Sequence, residues 1–293
     1  MIKKLEVIMS SSKDTLTFPK TIQQRSIRST QKPHSLWAEL NLVWLSKSFK
    51  RSAAILLFLA VWEIVPRVGL VDSAFLPTFS TVLVSGWGLI QNGQLLTHVQ
   101  ASLIRSLSGF IFAILIAIPL GLAIGWYTRF SEFLNPLLEV FRNTAALALL
   151  PVFILFLGIG ESSKIALVTY ACTWPILLNT ISGVRNVDPL LIKSARTMGL
   201  SPVQLFRKVI LPAAIPTIFV GVRLAGSFSV LMLIAAEMVG AKAGLGYLIN
   251  YAQYNFQIPE MFFGIISITS IGLLFNYSLL AIEKRLTAWK TER

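Results

Sequence analysis

The chain has 293 residues, of which 55% are apolar and only 13% are charged, a composition that excludes an ordinary soluble domain and is typical of a polytopic membrane protein. Its formal net charge of +13 would indicate a nucleic-acid partner in a soluble protein, but in a membrane protein the basic residues must first be assigned to one side of the bilayer. A single cysteine excludes an internal disulfide and a cysteine-based zinc site, and two histidines without an HExxH pattern give no support to metal chemistry.

The first 51 residues carry ten Lys or Arg against three acids. They contain no sustained apolar core and no small-residue cleavage pattern before Ser52, which argues against a cleaved secretory signal. We expect residues 1–51 to form a basic cytoplasmic tail, partly disordered and partly interfacial, because the Trp and Lys residues near its end suit a lipid surface. An organellar transit peptide is an alternative, although Glu6 and Asp14 argue against it.

Six apolar runs follow, and a bilayer crossing needs about 20 mostly apolar residues. The third run is short, because only residues 145–157 are free of charge. Its helix must therefore draw on the preceding FLNPLLEVFRN, which brings Arg142 near the inner surface, where its long side chain can reach water. The predicted crossings are residues 52–70, 107–126, a run ending at Gly158, 165–182, 215–239 and 261–282.

Six crossings place both termini on one side, together with a turn at residues 127–131 and the connection between the fourth and fifth crossings. That side carries ten Lys or Arg in the N-terminal tail, five in residues 185–208 and four from residue 284 onward. The opposite side carries only Lys164 and Lys242. By the positive-inside rule both termini are predicted to be cytoplasmic, and the net charge then requires no nucleic acid.

Two longer connections fall on the predicted outer side. The first, residues 71–100, has no Lys or Arg and predicts a short amphipathic helix after Pro77. The second, residues 240–259, is rich in Gly and aromatic residues. It is interpreted either as an outer gate or as a packed interfacial loop.

The connection between the fourth and fifth crossings predicts a helix–turn–helix on the cytoplasmic side. Asp188 followed by Pro189 is typical of an N-cap and a first helical residue. Gly199 stands where a helix ends in a left-handed residue. Because both ends are held within a few residues of the bilayer, this segment could hardly enter a DNA groove, and we interpret it as a docking element for a cytoplasmic protein.

The second helix of this pair is predicted from Ser201, which begins a capping box with Gln204. Pro212 and Pro216 are expected to bound it, which predicts two helices of about ten residues each. Basic residues occupy their solvated sides.

The spacing of the helix–turn–helix resembles the "EAA" loop of binding-protein-dependent ABC importer permeases. That pattern is Glu-Ala-Ala, three residues, Gly, nine residues, Ile, one residue and Leu-Pro. Lys193, Ser194 and Ala195 occupy the Glu-Ala-Ala positions, so Lys193 replaces the glutamate that would supply an ion pair in the family. The remaining positions are taken by Gly199, Val209, Leu211 and Pro212.

Five further sequence segments extend the resemblance over residues 77–289 and narrow it to one subgroup of these permeases. They are similar to sequences of the permeases that handle nitrate, taurine, alkanesulfonates or bicarbonate. In chain order they are FLPTFSTVL, LALLPVFILFLGIGESSKIAL, PILLNTISGVRNVD, GVRLAGSFSVLMLIAAEM and GLGYLI.

This resemblance implies an all-α membrane protein, a six-helix transmembrane bundle of the type I ABC importer (MetI-like) class with a cytoplasmic coupling helix–turn–helix. The implied location is the bacterial inner membrane. The implied partners are ATP-binding subunits, an extracytoplasmic solute-binding protein, a second permease copy and the lipid bilayer. The chain has no GxxxxGK[ST] stretch, so ATP and Mg²⁺ are expected on a partner ATPase, and the chain itself is a transport subunit without a cofactor rather than an enzyme.

The same resemblance implies how the chain is divided into segments and which residues contact the ATPase. The divisions are the tail (1–51), a first crossing with an outer amphipathic segment (52–102), a core permease domain with five crossings (103–283), the coupling loop within it (186–212) and a C-terminal tail (284–293). The alternative for the loop is that its helices only cap the bundle. The predicted coupling residues are Leu191, Lys193, Ser194, Ala195, Arg196, Met198, Gly199, Ser201, Gln204, Leu205, Arg207, Lys208 and Pro212.

Charged and polar residues within the crossings are candidates for the solute pathway. Arg223 lies inside the fifth crossing, where an unpaired cation costs about 2.5–3.5 kcal/mol, so it either attracts an anionic solute or pairs with helix carbonyls or a carboxylate. Glu237, at the outer end of the same crossing, is interpreted as a gate or packing residue.

Two features of the spans involve small or kinking residues. Trp174, Asn179 and Thr180 lie around the helix-interrupting Pro175 and are further pathway candidates. Gly121 and Gly125 have the spacing that lets two helices approach closely, and we expect them to serve packing.

Two other classes of function fit the sequence less well than an ATP-driven importer. An ion-coupled secondary transporter usually carries paired acids or inverted halves near the midplane, and the spans show neither. A membrane scaffold or enzyme would need a catalytic His, Cys or Ser constellation, which the sequence does not offer.

Overall fold

The computed structural model describes residues 53–286, and within that range the chain contains helices and connections but no strand. The predicted tail at residues 1–51 and the end of the C-terminal tail lie outside the described residues. The described part from Leu57 onward forms one compact unit. Its helices are α1 (53–67), α2 (Phe79–Gln91), α3 (Gln94–Trp126), α4 (Thr128–Asn143), α5 (Leu150–Leu157), α6 (Glu161–Arg185), α7 (Pro189–Thr197), α8 (Pro202–Leu205), α9 (Leu211–Met238), α10 (Leu245–Tyr254) and α11 (Ile258–Leu286).

The core forms where α6 lies between α3 and α9. On one side, a Cβ added to Gly121 of α3 would lie 2.7 Å from Thr180 Cβ, and one added to Gly125 would lie 2.8 Å from Val184 Cβ. On the other, a Cβ on Gly221 of α9 would lie 2.6 Å from Asn179 Cβ. The packing role predicted for the first two glycines is confirmed, since only residues without a Cβ permit this approach.

Four helical segments in the described range are long and apolar enough to cross a membrane: α3, α6, the continuous stretch Pro202–Met238, and α11. A fifth would combine α4 with the 3₁₀ turn Ala146–Leu149 and α5, which are bent by 89° relative to each other. Of the six predicted crossings, the first begins at the edge of the described residues and is helical over residues 53–67.

The third predicted crossing is broken rather than a single helix. Thr144 and Ala145 are extended, with ψ of 123° and 117°, and they separate α4 from the following turn. The break lies next to residues 145–157, the charge-free stretch that is too short to span the bilayer alone. The predicted turn at residues 127–131 is also wrong, because α4 begins at Thr128, immediately after Tyr127.

The second crossing is longer than predicted. Helix α3 begins at Gln94 and runs for 33 residues, whereas the apolar run begins only at residue 107. The difference arises because Ser102 and Arg105, which interrupt the apolar pattern, are buried inside the helix bundle. The predicted division between residues 102 and 103 therefore falls within a continuous helix.

The two predicted outer connections both contain a helix. The amphipathic helix after Pro77 is confirmed as α2, whose N-cap Thr78 accepts a hydrogen bond from the Thr81 backbone N–H at 3.3 Å. Residues 240–259 contain α10, which packs against its neighbours as a helix rather than forming an irregular loop. Its buried residues are Leu245, Gly246, Leu248, Ile249 and Ala252.

Candidate functional site

The helix–turn–helix between α6 and α9 has the caps that the sequence predicts. Asp188 Oδ1 accepts the Leu190 backbone N–H at 2.8 Å, and Pro189 is the first residue of α7. Gly199 adopts φ +76°, and the Leu200 N–H bonds to the Ala195 carbonyl five residues back, at 3.3 Å, as in a Schellman ending. The left-handed glycine predicted at this turn is confirmed, and we call the helix–turn–helix of residues 188–208 the glycine corner.

The capping box of the second helix is confirmed as well. The Ser201 N–H donates to Gln204 Oε1 at 3.0 Å, and the Gln204 N–H donates to Ser201 Oγ at 3.4 Å. Two orphan donors at the start of α8 are thereby satisfied by side chains.

The predicted end of the second helix at Pro212 and Pro216 is wrong. Helix α8 passes through a π turn, Phe206–Ile210, directly into α9, and both prolines lie inside that continuous helix. In the π turn the Leu211 N–H bonds to the Phe206 carbonyl, five residues back instead of four. The wider turn accommodates one extra residue just before Pro212, whose ring and missing N–H would otherwise interrupt the regular ladder.

The predicted coupling residues divide into an outward face and an anchor. Ala195 and Leu205 are buried in the main hydrophobic core, and Pro212 is half-buried, so these three hold the corner in place. Trp126 at the end of α3 packs edge-on against Phe206, with ring centroids 5.1 Å apart. The exposed members are Leu191, Lys193, Ser194, Arg196, Met198, Gly199, Ser201, Gln204, Arg207 and Lys208.

Two apolar residues of the corner were not among the predicted ones. Leu190 and Val203 are as exposed as Met198, and with Leu191 they place four apolar side chains on a surface that also carries four cations. A mixed apolar and basic surface of this kind is typical of a protein-binding site, not of a solvated cap.

Arg223 has a carboxylate neighbour. Its Nη1 donates to Glu283 Oε2 on α11 at 3.1 Å, and about a third of its side chain is exposed. The structure therefore gives this cation a partner on another helix, as the cost of an isolated charge in a span requires.

The polar residues around Pro175 do not share one opening. Thr180 is fully buried against α3, and its hydroxyl donates to the Ile176 carbonyl at 2.7 Å. Asn179 lies against Gly221 of α9 and donates to the Pro175 carbonyl at 2.8 Å. Trp174 stacks edge-on with Tyr170, and its buried indole N–H has no acceptor among residues 53–286.

A second site lies at the opposite end of the bundle, around Glu237. This carboxylate is fully buried and accepts hydrogen bonds from Ser102 Oγ at 2.8 Å, from Arg105 Nη1 at 2.7 Å and from the Gly246 N–H at 2.9 Å. A Cβ on Gly244, which has φ +127°, would collide with the carboxylate. Glu237 therefore fixes both α3 and the start of α10.

Arg105 extends this site to α6. Its buried guanidinium also forms a bidentate pair with Glu161, in which Nη2 lies 2.7 Å from Oε1, and it donates to the Ala243 carbonyl at 2.6 Å. The Glu161 side chain is 63% exposed, whereas that of Glu237 is fully buried. Lys164, one turn along α6, is buried and donates to the Gly160 carbonyl at 2.9 Å.

We call Ser102, Arg105, Glu161, Lys164 and Glu237 the buried ion cluster. It contains two cations and two carboxylates, so its charges balance, and it joins α3, α6, α9 and the connection to α10. Of these five residues, only Glu237 is a site residue predicted from the sequence. The available signal was that any charge within a span needs a partner, but the partners lie up to 135 residues apart in the chain.

The chain is similar to known membrane transport proteins. Residues 109–289 match the family described as "Binding-protein-dependent transport system inner membrane component". The chain is 34% identical over 232 residues to the putative aliphatic sulfonates transport permease SsuC of Bacillus subtilis, covering 79% of this chain and 84% of the relative. It is 34% identical over 239 residues to the taurine transport system permease TauC of Escherichia coli, covering 80% and 87%.

Other relatives and solved structures agree with these. The nitrate import permease NrtB of a Synechocystis species is 30% identical over 253 residues, covering 83% of this chain and 91% of the relative. A solved structure of the MetNI methionine ABC transporter in an inward-facing conformation superimposes with a TM-score of 0.58 at 21% identity, covering 66% of this chain and 96% of the solved one. This likeness establishes the fold.

Proposed function

Because the chain belongs to the family of binding-protein-dependent transport system inner membrane components, we propose that it forms the membrane pathway of an ATP-driven importer for a small anion. The solutes in question are a sulfonate such as taurine, nitrate or bicarbonate. The observation that carries this is the similarity, over more than three quarters of the chain, to permeases named for sulfonates, taurine and nitrate. The chain is a transport subunit, and a separate ATPase hydrolyses ATP.

The pathway forms between two copies of this chain. The centre of the bundle is filled, since α6 packs against α3 and α9 through glycines without a Cβ. The solute therefore passes along the outside of α6, where a groove of about 580 Å³ opens between α3, α5 and α6. Thr169, Tyr170 and Thr173 line it beside Phe112 and Phe153.

The glycine corner binds the partner ATPase on the cytoplasmic side. Its exposed apolar and basic residues supply the contact, and its buried Ala195 and Leu205 transmit force to the core. The charge distribution supports this orientation, because the basic residues concentrate at the termini and at the corner. The buried ion cluster then lies at the outer end.

We assign the buried ion cluster to the outer gate, with Glu237 at its centre. The Arg105–Glu237 pair is fully enclosed and holds α10 against the bundle, so breaking it would leave a buried charge unpaired. In the Arg105–Glu161 pair the carboxylate is solvated, so these two side chains can separate at small cost in free energy. Movement of α6 against α3 would separate this pair first.

Cysteine labelling tests the orientation and the coupling together. Cys172 is the chain's only cysteine and is buried, so a Cys172→Ser background leaves one introduced thiol at a time. In the complete transporter, Met198→Cys should react with an impermeant maleimide only from the cytoplasm and should cross-link to the ATPase. Tyr254→Cys, at the other end and equally exposed, should react only from outside.

Labelling of position 198 from the outside would overturn the orientation. A cytoplasmic thiol there that never cross-links to the ATPase would overturn the coupling role. Uptake of taurine, an alkanesulfonate, nitrate and bicarbonate, each measured separately, then identifies the solute. Equal failure of all four solutes in an active transporter would contradict the assignment to this group of solutes.

A further inference from the structure

The turn between α10 and α11 places a bulky residue where a glycine normally lies. Asn255 caps α10, the Gln257 N–H bonds to the Ala252 carbonyl at 2.8 Å, and the Phe256 N–H bonds to the Gln253 carbonyl at 3.3 Å. These bonds form a Schellman ending, in which the residue at position 256 must be left-handed. Phe256 adopts φ +55°, and within residues 53–286 it alone among non-glycine residues has a positive φ.

The two Schellman hydrogen bonds favour this backbone, but among the described residues no close packing of the Phe256 ring adds to them. A left-handed backbone is unfavourable for any residue with a Cβ, and more so for a bulky one. Phe256 is nevertheless 79% exposed, as is Tyr254 two residues earlier, so the ring gains little from packing. Strained residues that break a local rule without compensation in the fold are concentrated at functional positions.

A largely polar cleft begins next to the turn that carries the two rings. A cleft of about 740 Å³ opens between α2, α3, α10 and α11 and includes Gln257, which follows Phe256 directly. Exposed aromatic residues beside a polar rim are typical of protein-binding hot spots. The polar and charged residues of the cleft include Asn92, Gln94, Lys242, Tyr251, Gln257 and Glu260.

A lipid surface explains these features less well. Interfacial aromatic residues are mainly Trp and Tyr, whose polar tips reach water, and Phe256 has no such group. Contact with lipid also does not require a ring to be held in a left-handed conformation. The strain instead directs the side chain away from the bundle at a fixed angle, which favours a structured partner.

We propose that residues 254–257 and the adjoining cleft form the docking surface for the solute-binding protein. This rests on the proposed function, which places α10 on the outer side, and on the family's dependence on a binding protein. The partner surface must offer an apolar pocket for Phe256 surrounded by groups that pair with the polar rim. Helix α10 connects this surface to the buried ion cluster, because its first turn donates to Glu237 and to Ser102.

The variant Phe256→Gly separates docking from stability. Glycine relieves the backbone strain, so the thermal midpoint of the purified transporter should stay the same or rise. Loss of the ring should weaken docking by about tenfold or more, as for other hot-spot aromatic residues. The matched control is Phe133→Ala on α4, which removes an equally exposed ring far from the turn.

The measurement is ATPase activity of the transporter in proteoliposomes, titrated with its purified solute-binding protein. Of the two variants, only Phe256→Gly should shift the concentration of binding protein that gives half-maximal ATPase activity. An unshifted titration contradicts the docking surface and leaves the proposed function standing. If no binding protein stimulates the wild-type transporter, the proposed function itself fails.

A photo-crosslinker identifies what the ring contacts. p-Benzoyl-phenylalanine at position 256 of the full transporter, irradiated in its membrane, should yield an adduct that mass spectrometry identifies as a solute-binding protein, whereas position 133 should not. Adducts with lipid, with a second copy of this chain or with nothing would each overturn the proposal.

Discussion

The two ends of the bundle are stabilised by different kinds of interaction. At the glycine corner, short-range hydrogen bonds between residues two to five apart set the backbone, and two buried apolar side chains anchor it. At the buried ion cluster, oppositely charged side chains 56 and 132 residues apart in the chain fix helices α3, α6 and α9 to one another. The corner therefore keeps its shape largely from local sequence, while the cluster exists only after the whole bundle has assembled.

This difference between local and long-range stabilisation determines how each end can respond to a partner. A capped corner is a rigid contact surface whose exposed residues are free to bind. The gate that we propose at the buried ion cluster has two states, closed with both carboxylates paired to Arg105 and open with Glu161 in water. The following substitutions test this contrast, beginning with the largest expected effect.

Glu237→Gln should be the most damaging. It leaves Arg105 buried with only its exposed partner Glu161, and the expected loss of stability is about 3–5 kcal/mol. Thermal unfolding of the detergent-solubilised protein measures it, with Glu132→Gln on the exposed face of α4 as control. Similar midpoints for the two variants would remove the contrast between the ends.

Gly221→Ala should be the next largest. The added Cβ would lie 2.6 Å from Asn179 Cβ and 2.7 Å from the Pro175 carbonyl, so α6 and α9 must separate, at about 1–3 kcal/mol. Gly88→Ala on α2 is the matched control, because its Cβ meets nothing within 4 Å. If both variants unfold at the wild-type temperature, the bundle between the ends is not tightly packed.

Gly199→Val should weaken the corner by about 1–2 kcal/mol, purely through the backbone, since no atom lies within 4 Å of the added Cβ. Gly199→Asn should cost less, because asparagine tolerates the left-handed region. The ratio of uptake to basal ATPase activity measures coupling in each variant. Equal uptake in Val and Asn variants would show that the corner's backbone geometry is unimportant for coupling.

Arg223 should give the smallest effect on stability. Its pair with Glu283 is partly exposed, so the coupling energy from a double-mutant cycle of Arg223→Gln and Glu283→Gln should be about 0.2–1 kcal/mol. Uptake by Arg223→Gln should remain near the wild-type rate if the pairing is structural. A large rise in the solute KM with an unchanged midpoint would instead assign Arg223 to the pathway.

The sequence predicted the corner in detail because its signals are local. Asp188, Gly199 and Ser201 each act on residues a few positions away, so their effect is readable without tertiary structure. The continuation through Pro212 was missed, because a proline near a helix start usually marks a boundary. The π turn that accommodates it has no signature of its own.

The buried ion cluster could be predicted only in part. A charged residue within an apolar span needs a partner, so the sequence indicates that Arg105 and Glu237 are each paired. The identity of the partner depends on which helices pack together, which the small residues of α3 and α9 decide. The start of α3 could not be predicted for the same reason. Its first turns are too polar for a membrane span unless the partners of Ser102 and Arg105 on other helices are known.

One geometric consequence follows from the π turn. Since the chain stays helical from Pro202 to Met238, a single rod of roughly 55 Å begins at the glycine corner and ends beside Glu237. Each residue of a helix advances its azimuth by about 100°. A one-residue deletion within Phe206–Ile210 would therefore rotate the corner about the axis of α9 while every contact at the far end stayed in register, so this stretch sets the phase between the two ends.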